Sequence, residues 1–260
     1  RNTSGPATVQ SRERGWVVVC FRLSPARLGA ELLSLLAPPV CPACGRPAGR
    51  RGLQLLCRDC RPGLSPCPVC RRCGRTLALL SRSLPDCRAC RRRRLALTGI
   101  AAVAPYAGPW RRAVIAAKED VAGEFARSLA GMLAKRLRRS DFDPAGACVV
   151  PVPARHAADN RSPGRLARLL ARRLGLPYRD PLAFARRTRP QTGLPRRERI
   201  RNMRRAFRMR GSCPPRGPVL LVDDVMTTGA TLDAAARTLR DHGATSVYAV
   251  VLARSQVSEA

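Results

Sequence analysis

Aromatic side chains make up only 4% of this 260-residue chain, and lysine occurs just twice, at Lys118 and Lys135. A nucleic-acid binder so poor in aromatics cannot depend on stacking bases over rings. Carboxylates are scarce too: 17 acidic residues face 49 basic ones, for a formal net charge of +32. No stretch approaches the roughly 20 apolar residues of a membrane helix, so none is expected. The run GWVVVC (15–20) is too short and lacks a secretory pattern. A cytoplasmic location is therefore expected. The arginine bias matches a GC-rich codon set, but its electrostatic result holds whatever its origin. Such a surface attracts polyanions, and nucleic acid is the commonest of them. A hydrophobic content of 45% still supports a packed core rather than wholesale disorder.

Against these scarcities stand twelve cysteines, eight of them in a spaced array. Cys41-x2-Cys44 is followed by Cys57-x2-Cys60, and Cys70-x2-Cys73 by Cys87-x2-Cys90. Each unit opens Cys-x2-Cys-Gly, so the array is an internal repeat. Two cysteines on one tight turn can present both sulfurs to one ion, which suits structural zinc in two closed four-thiolate sites. The following glycines, Gly45 and Gly74, would let each turn adopt a positive φ. Disulfides would suit a secreted domain, and no secretory segment is legible. Cys67 competes with Cys73 as the partner of Cys70, because CPVC (67–70) is also a Cys-x2-Cys pair; the repeated glycine favours Cys70 and Cys73. Cys20, Cys148 and Cys213 are isolated and read as ordinary thiols. A metal module this small has little core, so the ion would supply much of its folding energy.

Three segments are expected. Residues 1–27 form a poorly defined N-terminal extension. Residues 28–94 hold an amphipathic helix, with Leu28, Leu32, Leu33, Leu35 and Leu36 at helical spacing, plus the double cysteine module. Residues 95–256 form an α/β domain. There, ALTGIAAVAPY predicts a strand, GPWRRAVIAAK (108–118) a helix, and EFARSLAGMLAKRLRR a helix with Phe125, Leu129, Met132, Leu133 and Leu137 on one face. ACVVPVPAR (147–155) predicts a short buried strand. SPGRLARLLARRLG (162–175) predicts a helix capped by Ser162 and ended by Gly175, with Arg165, Arg168 and Arg172 in a stripe beside its apolar face. Residues 179–211 show little regular pattern. The last unit is a strand over 219–223, a helix over Ala230–Asp241 and a strand over 246–253, the repeating piece of a parallel sheet. His242 reads as a cation at a helix end, not a catalyst.

The most informative stretch is VLLVDDVMTTGATL (219–232). An apolar strand, buried on both faces, carries two acids where ligands of parallel sheets gather. The turn after it feeds a helix N-terminus, whose amides and dipole, with the Thr227, Thr228 and Thr231 hydroxyls, suit one phosphate. Asp223 and Asp224 can accept hydrogen bonds from the vicinal hydroxyls of a sugar or approach a hydrated Mg²⁺.

VLLVDDVMTTGAT resembles the phosphoribosyl-pyrophosphate motif of type I phosphoribosyltransferases. That resemblance implies that Asp223 and Asp224 hold the ribose hydroxyls and that Thr227, Thr228, Gly229, Ala230 and Thr231 form the 5′-phosphate loop. The two cysteine units, VVPVP (149–153), Arg187-Thr188-x2-Gln191-x2-Leu194 and Arg199-x2-Asn202-x3-Ala206-Phe207 together resemble the ComF family of competence-associated proteins over residues 28–254. The fold implied is a type I phosphoribosyltransferase-like parallel sheet behind a double zinc ribbon. Two segments depart from the family pattern. RSPGR (161–165) stands where an Arg-Gly-aromatic-Asn-Gln block is usual, and KEDVAG (118–123) where a Lys-aromatic-x-Gly segment is usual.

Three functions follow. The ComF resemblance implies DNA uptake and natural transformation through binding of single-stranded DNA or other nucleic acid, beside other DNA-uptake proteins. The alternative is an active phosphoribosyltransferase moving ribose 5-phosphate from phosphoribosyl pyrophosphate to a base, with Mg²⁺ and with Arg155 or Lys118 stabilising the leaving charge. A further alternative is a zinc-organised adaptor that senses a nucleotide. No base-recognition segment is legible.

Overall fold

Successive residues of Val219–Val222 point to opposite sides of a parallel sheet, and each side is buried. Leu220 and Val222 join Val149, Val250 and Leu252 in one core. Val219 and Leu221 join Val150, Ala249 and Val251 in the other. This computed structural model describes residues 40–48, 56–60, 70, 72–74, 87, 90, 95–119, 123–154, 161–185, 196–203, 205–211 and 216–255. All lie within a unit spanning Pro39–Ala260. The expected helix over 28–36, together with Cys20, Cys67, Cys213 and Arg155, lies outside the described residues.

In chain order the elements are β1 (Gly99–Pro105), α1 (Gly108–Glu119), α2 (Glu124–Leu137), β2 (Cys148–Pro151) and α3 (Arg161–Leu174). They continue with β3 (Leu182–Phe184), α4 (Arg196–Met203), β4 (Phe207–Met209), β5 (Pro218–Met226), α5 (Ala230–Asp241) and β6 (Ser246–Arg254). The main sheet has the order β1-β6-β5-β2, with every pairing parallel. Helices α1, α2 and α3 cover the first face, where Leu129, Leu133, Leu166 and Leu170 are buried. Helices α4 and α5 cover the second with Met203, Leu232 and Leu239. This is the expected α/β architecture, a parallel sheet between two helical layers, with a four-cysteine region before it.

Three local expectations are corrected. Residues 179–211 are not patternless: β3 and β4 pair antiparallel, Phe184 against Phe207, and α4 lies between them. Strands of three residues are too short to show a period, and α4 (RRERIRNM) is charged nearly all round. Strand β5 does not end at Asp223 but runs to Met226, because Val225 and Met226 keep their register with Ala253 and Arg254 of β6. Helix α3 begins at Arg161, so Ser162 lies inside its first turn rather than before it. Gly175 ends that helix as expected, with φ 69° and Leu176 N–H donating to Ala171 O at 3.0 Å.

Candidate functional site

The two adjacent acids have unequal surroundings. Alternation along β5 puts Asp224 on the α1 side, where Lys118 near the end of α1 pairs with it, Nζ to Oδ2 at 3.1 Å. Asp223 falls on the other side and is 9% exposed. Its Oδ1 accepts the Asp224 N–H at 2.9 Å, and Asp224 Oδ1 accepts the Val225 N–H at 2.7 Å. Burial, reinforced by the neighbouring Asp224 charge, pushes the Asp223 carboxyl well above its ordinary value of 3.8. Asp224 is thus the charged partner of Lys118, and Asp223 a carboxyl that favours keeping its proton.

Beyond Met226 the chain turns through Thr227–Gly229 into α5. Gly229 takes φ 77° at the N-cap and contributes no side-chain cap, while Thr228 Oγ1 accepts the Ala230 N–H at 3.2 Å. The left-handed φ favours glycine here, and a Cβ at residue 229 would also push the Met226 methyl aside. Asp233 N–H donates to Gly229 O at 2.8 Å, which starts the helix. The loop is held from behind by Arg254, the last residue of β6 and 5% exposed. Its guanidinium donates to Met226 O at 3.2 Å and to Thr227 O. It also donates to Ser255 O at 2.7 Å and, through Nε, to Cys73 O at 2.9 Å. Arg254 belongs to no motif legible in the sequence. Its only signal is a lone charge closing the apolar run VYAVVLA.

Both four-cysteine groups assemble with the expected members. The Sγ atoms of Cys41, Cys44, Cys57 and Cys60, and those of Cys70, Cys73, Cys87 and Cys90, all lie within 4.8 Å of one another in each group. The distances Cys44–Cys57 and Cys73–Cys87 are 3.5 and 3.6 Å. A tetrahedral ion with sulfur bonds of about 2.3 Å sets its ligands about 3.8 Å apart, so the residues fit a metal ion. Each turn closes the same way: Gly45 N–H donates to Cys41 O at 2.7 Å and Gly74 N–H to Cys70 O at 2.8 Å. Both glycines have the expected positive φ, 74° and 64°. In the second group the Cys87 N–H points at Cys70 Sγ, 3.3 Å away. In the first, the Arg46 backbone amide and then its guanidinium lower the Cys44 thiol to about 6.

The groups dock on opposite faces of the sheet beside edge strand β1. Cys41, Cys57 and Cys60 share the first core with Trp110 and Val114, and Arg112 donates to Ala43 O. The second group shares the other core with Ile100 and Ala102. A Cβ on Gly74 would come within 3.1 Å of the Ala102 Cβ, whereas one on Gly45 meets open space. Among the other expected features, KEDVAG places Lys118 at the end of α1 and Gly123 before α2 at φ 77°. RSPGR forms the first turn of α3. His242 caps α5, its Nδ1 2.8 Å from Thr238 O. Cys148 is buried, and burial raises its thiol. A cavity of about 1010 Å³ lies beside α5 between Met203, Phe207, Ala230 and Arg237; Asp233 and Asp241 line it, and Asp223 and Asp224 do not.

A model described as a phosphoribosyl transferase domain matches residues 164–260, which take in most of α3, the loop and β6. Among solved structures, the chain is similar to the allosteric regulatory enzyme of purine biosynthesis at 24% identity and TM-score 0.34, over 48% of this chain and 25% of that one. It is also similar to orotate phosphoribosyltransferase from Aeropyrum pernix at 25% identity and TM-score 0.31, over 49% of this chain and 64% of that one. Each match spans less than two thirds of the solved chain. The domain match, the parallel sheet and the strand–turn–helix around Asp223 define a phosphoribosyltransferase-fold protein. The chain is also 27% identical over 213 residues to Competence protein F of Haemophilus influenzae, covering 77% of this chain and 90% of that protein. At that coverage the similarity extends beyond the sheet into the four-cysteine region ahead of it. Among the described residues no helix is long and apolar enough to cross a membrane.

Proposed function

We propose that the protein binds nucleic acid in DNA uptake and natural transformation, on a phosphoribosyltransferase fold stapled by two structural zinc ions, and that it keeps a pocket for a sugar phosphate or nucleotide. Zinc suits the sites because four thiolates in a closed tetrahedral set are its usual structural ligands. The pocket would use Asp223 and Asp224 for ribose hydroxyls and the Thr227–Thr231 turn for the phosphate. Arg155 and Lys118 are its expected cations. Lys118 already neutralises Asp224, which favours binding a ribose phosphate over binding bare Mg²⁺ at that acid. The Haemophilus relative's name supports the competence role, and other DNA-uptake proteins are expected partners.

The observation that carries the nucleic-acid reading is the exposed surface of α2, the turn after it and α3. Arg127, Lys135, Arg138, Arg139, Arg172 and Arg173 are all exposed there, and α3 contains no acid. Phosphate contacts of that kind bind single strands with little sequence preference and weaken steeply with salt. Titrating labelled single-stranded DNA at two salt concentrations tests this, beside an assay for pyrophosphate release from phosphoribosyl pyrophosphate with a panel of bases. Salt-sensitive DNA binding without turnover is the expected result. Turnover with one base, abolished by Asp224→Asn, would instead make the protein a transferase. Ribose 5-phosphate binding with neither activity would leave the zinc-organised nucleotide sensor.

A further inference from the structure

We propose that Arg254 couples the second four-cysteine group to the phosphate loop, so that metal bound by Cys70, Cys73, Cys87 and Cys90 sets the geometry in which the loop amides meet an anion. This rests on the reading of Thr227–Thr231 as a phosphate loop. Burying a guanidinium is costly unless its donors are satisfied, and Arg254 satisfies them with carbonyls from three separate segments. Cys73 O belongs to the metal-binding turn, Met226 O and Thr227 O to the junction of β5 with the loop, and Ser255 O to the chain just beyond β6.

The direction of those bonds matters. In a planar trans peptide the C=O and the following N–H point opposite ways, and none of the described peptides is cis. Drawing Met226 O and Thr227 O toward Arg254 therefore turns the Thr227 and Thr228 N–H groups away from it. Those are amides of the TTGAT turn. Ser255 N–H returns a bond to Met226 O at 2.9 Å, which fixes the same peptide from a second side.

The Nε side of the guanidinium is anchored by Cys73 O, and that anchor depends on the metal. Four cysteines gathered about one ion fix the turn that carries Cys73, and with it the carbonyl that Arg254 meets. The turn itself sits hard on the sheet, because Gly74 leaves no room between it and Ala102. Without the ion the four cysteines lose their common centre. Cys73 O is then free to drift, and the Met226 and Thr227 carbonyls lose the fixed donor that orients them. Arg254 is in this account a positioning residue that touches no ligand itself.

The experiment uses the full chain and three variants: Arg254→Met, Arg254→Lys and Cys87→Ser, with Arg254→Met/Cys87→Ser as the double. Metal content is read with a colorimetric chelator, ribose 5-phosphate affinity by calorimetry, and amide exchange of residues 227–230 by mass spectrometry. Arg254→Met should keep both metal ions yet bind ribose 5-phosphate about tenfold more weakly, because a pre-organised loop has been loosened. Its loop amides should exchange at least about fivefold faster. Cys87→Ser should lose one metal and show the same two changes, and the double should be no worse than either single. Arg254→Lys should recover part of the exchange protection, since one ammonium can still bridge two carbonyls. Additive losses in the double, or loop exchange unmoved by metal loss, would overturn the coupling. If the wild-type protein binds no ribose 5-phosphate, the phosphate-loop reading fails, and amide exchange still decides whether metal and loop are linked.

Discussion

Asp223 and Asp224 are neighbours in sequence with opposite electrostatic fates. A carboxyl whose pKa is raised in the fold keeps its proton longer there than in the unfolded chain. Stability then falls as pH climbs past the ordinary value of 3.8, where the unfolded chain ionises and the buried group resists. Asp223→Asn keeps the acceptor for the Asp224 amide and removes that penalty. The variant should match the parent near pH 3.8 and become the more stable of the two toward neutral pH, as followed by denaturant midpoints across pH. A constant offset at every pH would show that Asp223 does not titrate abnormally. The two knuckle glycines make a second contrast. Gly45→Ala should cost about 1 kcal/mol for the left-handed backbone alone. Gly74→Ala should cost more, since its new methyl also presses on Ala102. Equal melting shifts for the two would count against the close packing. Gly229→Val combines both problems at the loop and should abolish ribose 5-phosphate binding, read by calorimetry.

At the scale of elements, α2 and α3 show how an amphipathic helix can carry two roles. Their apolar faces close the first core, and Leu133→Ala, at a site of 0% exposure, should cost roughly 2–5 kcal/mol. Their outer faces are arginine-rich, but not every arginine there is available. Arg168 lies over the Tyr178 ring, 5.1 Å from its centroid, and Arg165 packs along Gly123, so part of the expected stripe serves packing. Arg139 and Arg172 are exposed. Replacing both by alanine should flatten the salt dependence of DNA affinity by about two in log–log slope. Stability should change by less than about 0.5 kcal/mol. An unchanged slope would place the nucleic acid elsewhere on the surface.

For the molecule as a whole, the cysteine groups are parts of the two cores rather than an appendage. Each shares buried side chains with helices or strands of the α/β domain. A small module standing alone would melt by itself when its metal was removed. Here, chelation should lower the main unfolding transition by more than about 10 °C and leave it single, monitored by calorimetry. A separate early transition with the main one unmoved would show that the groups fold independently. The net charge of +32 acts at the same scale. It favours any polyanion at long range, whereas the α2–α3 face and the loop decide which anions are held.

The cysteine spacings, the apolar runs of the longer helices and strands, and the string from Val219 to Leu232 were legible in the sequence, because each is a local code with its own period or spacing. Three-residue strands β3 and β4 carry no period, and charged α4 has no apolar stripe, so they are visible only once their partners pack against them. The inequality of Asp223 and Asp224 comes from which side of β5 meets α1. Docking of the cysteine groups on opposite faces comes from which buried side chains each meets beside β1. Arg254 links residues 181 positions apart, Cys73 to the end of β6. No local pattern encodes a contact of that separation; it exists only because the sheet brings its ends together.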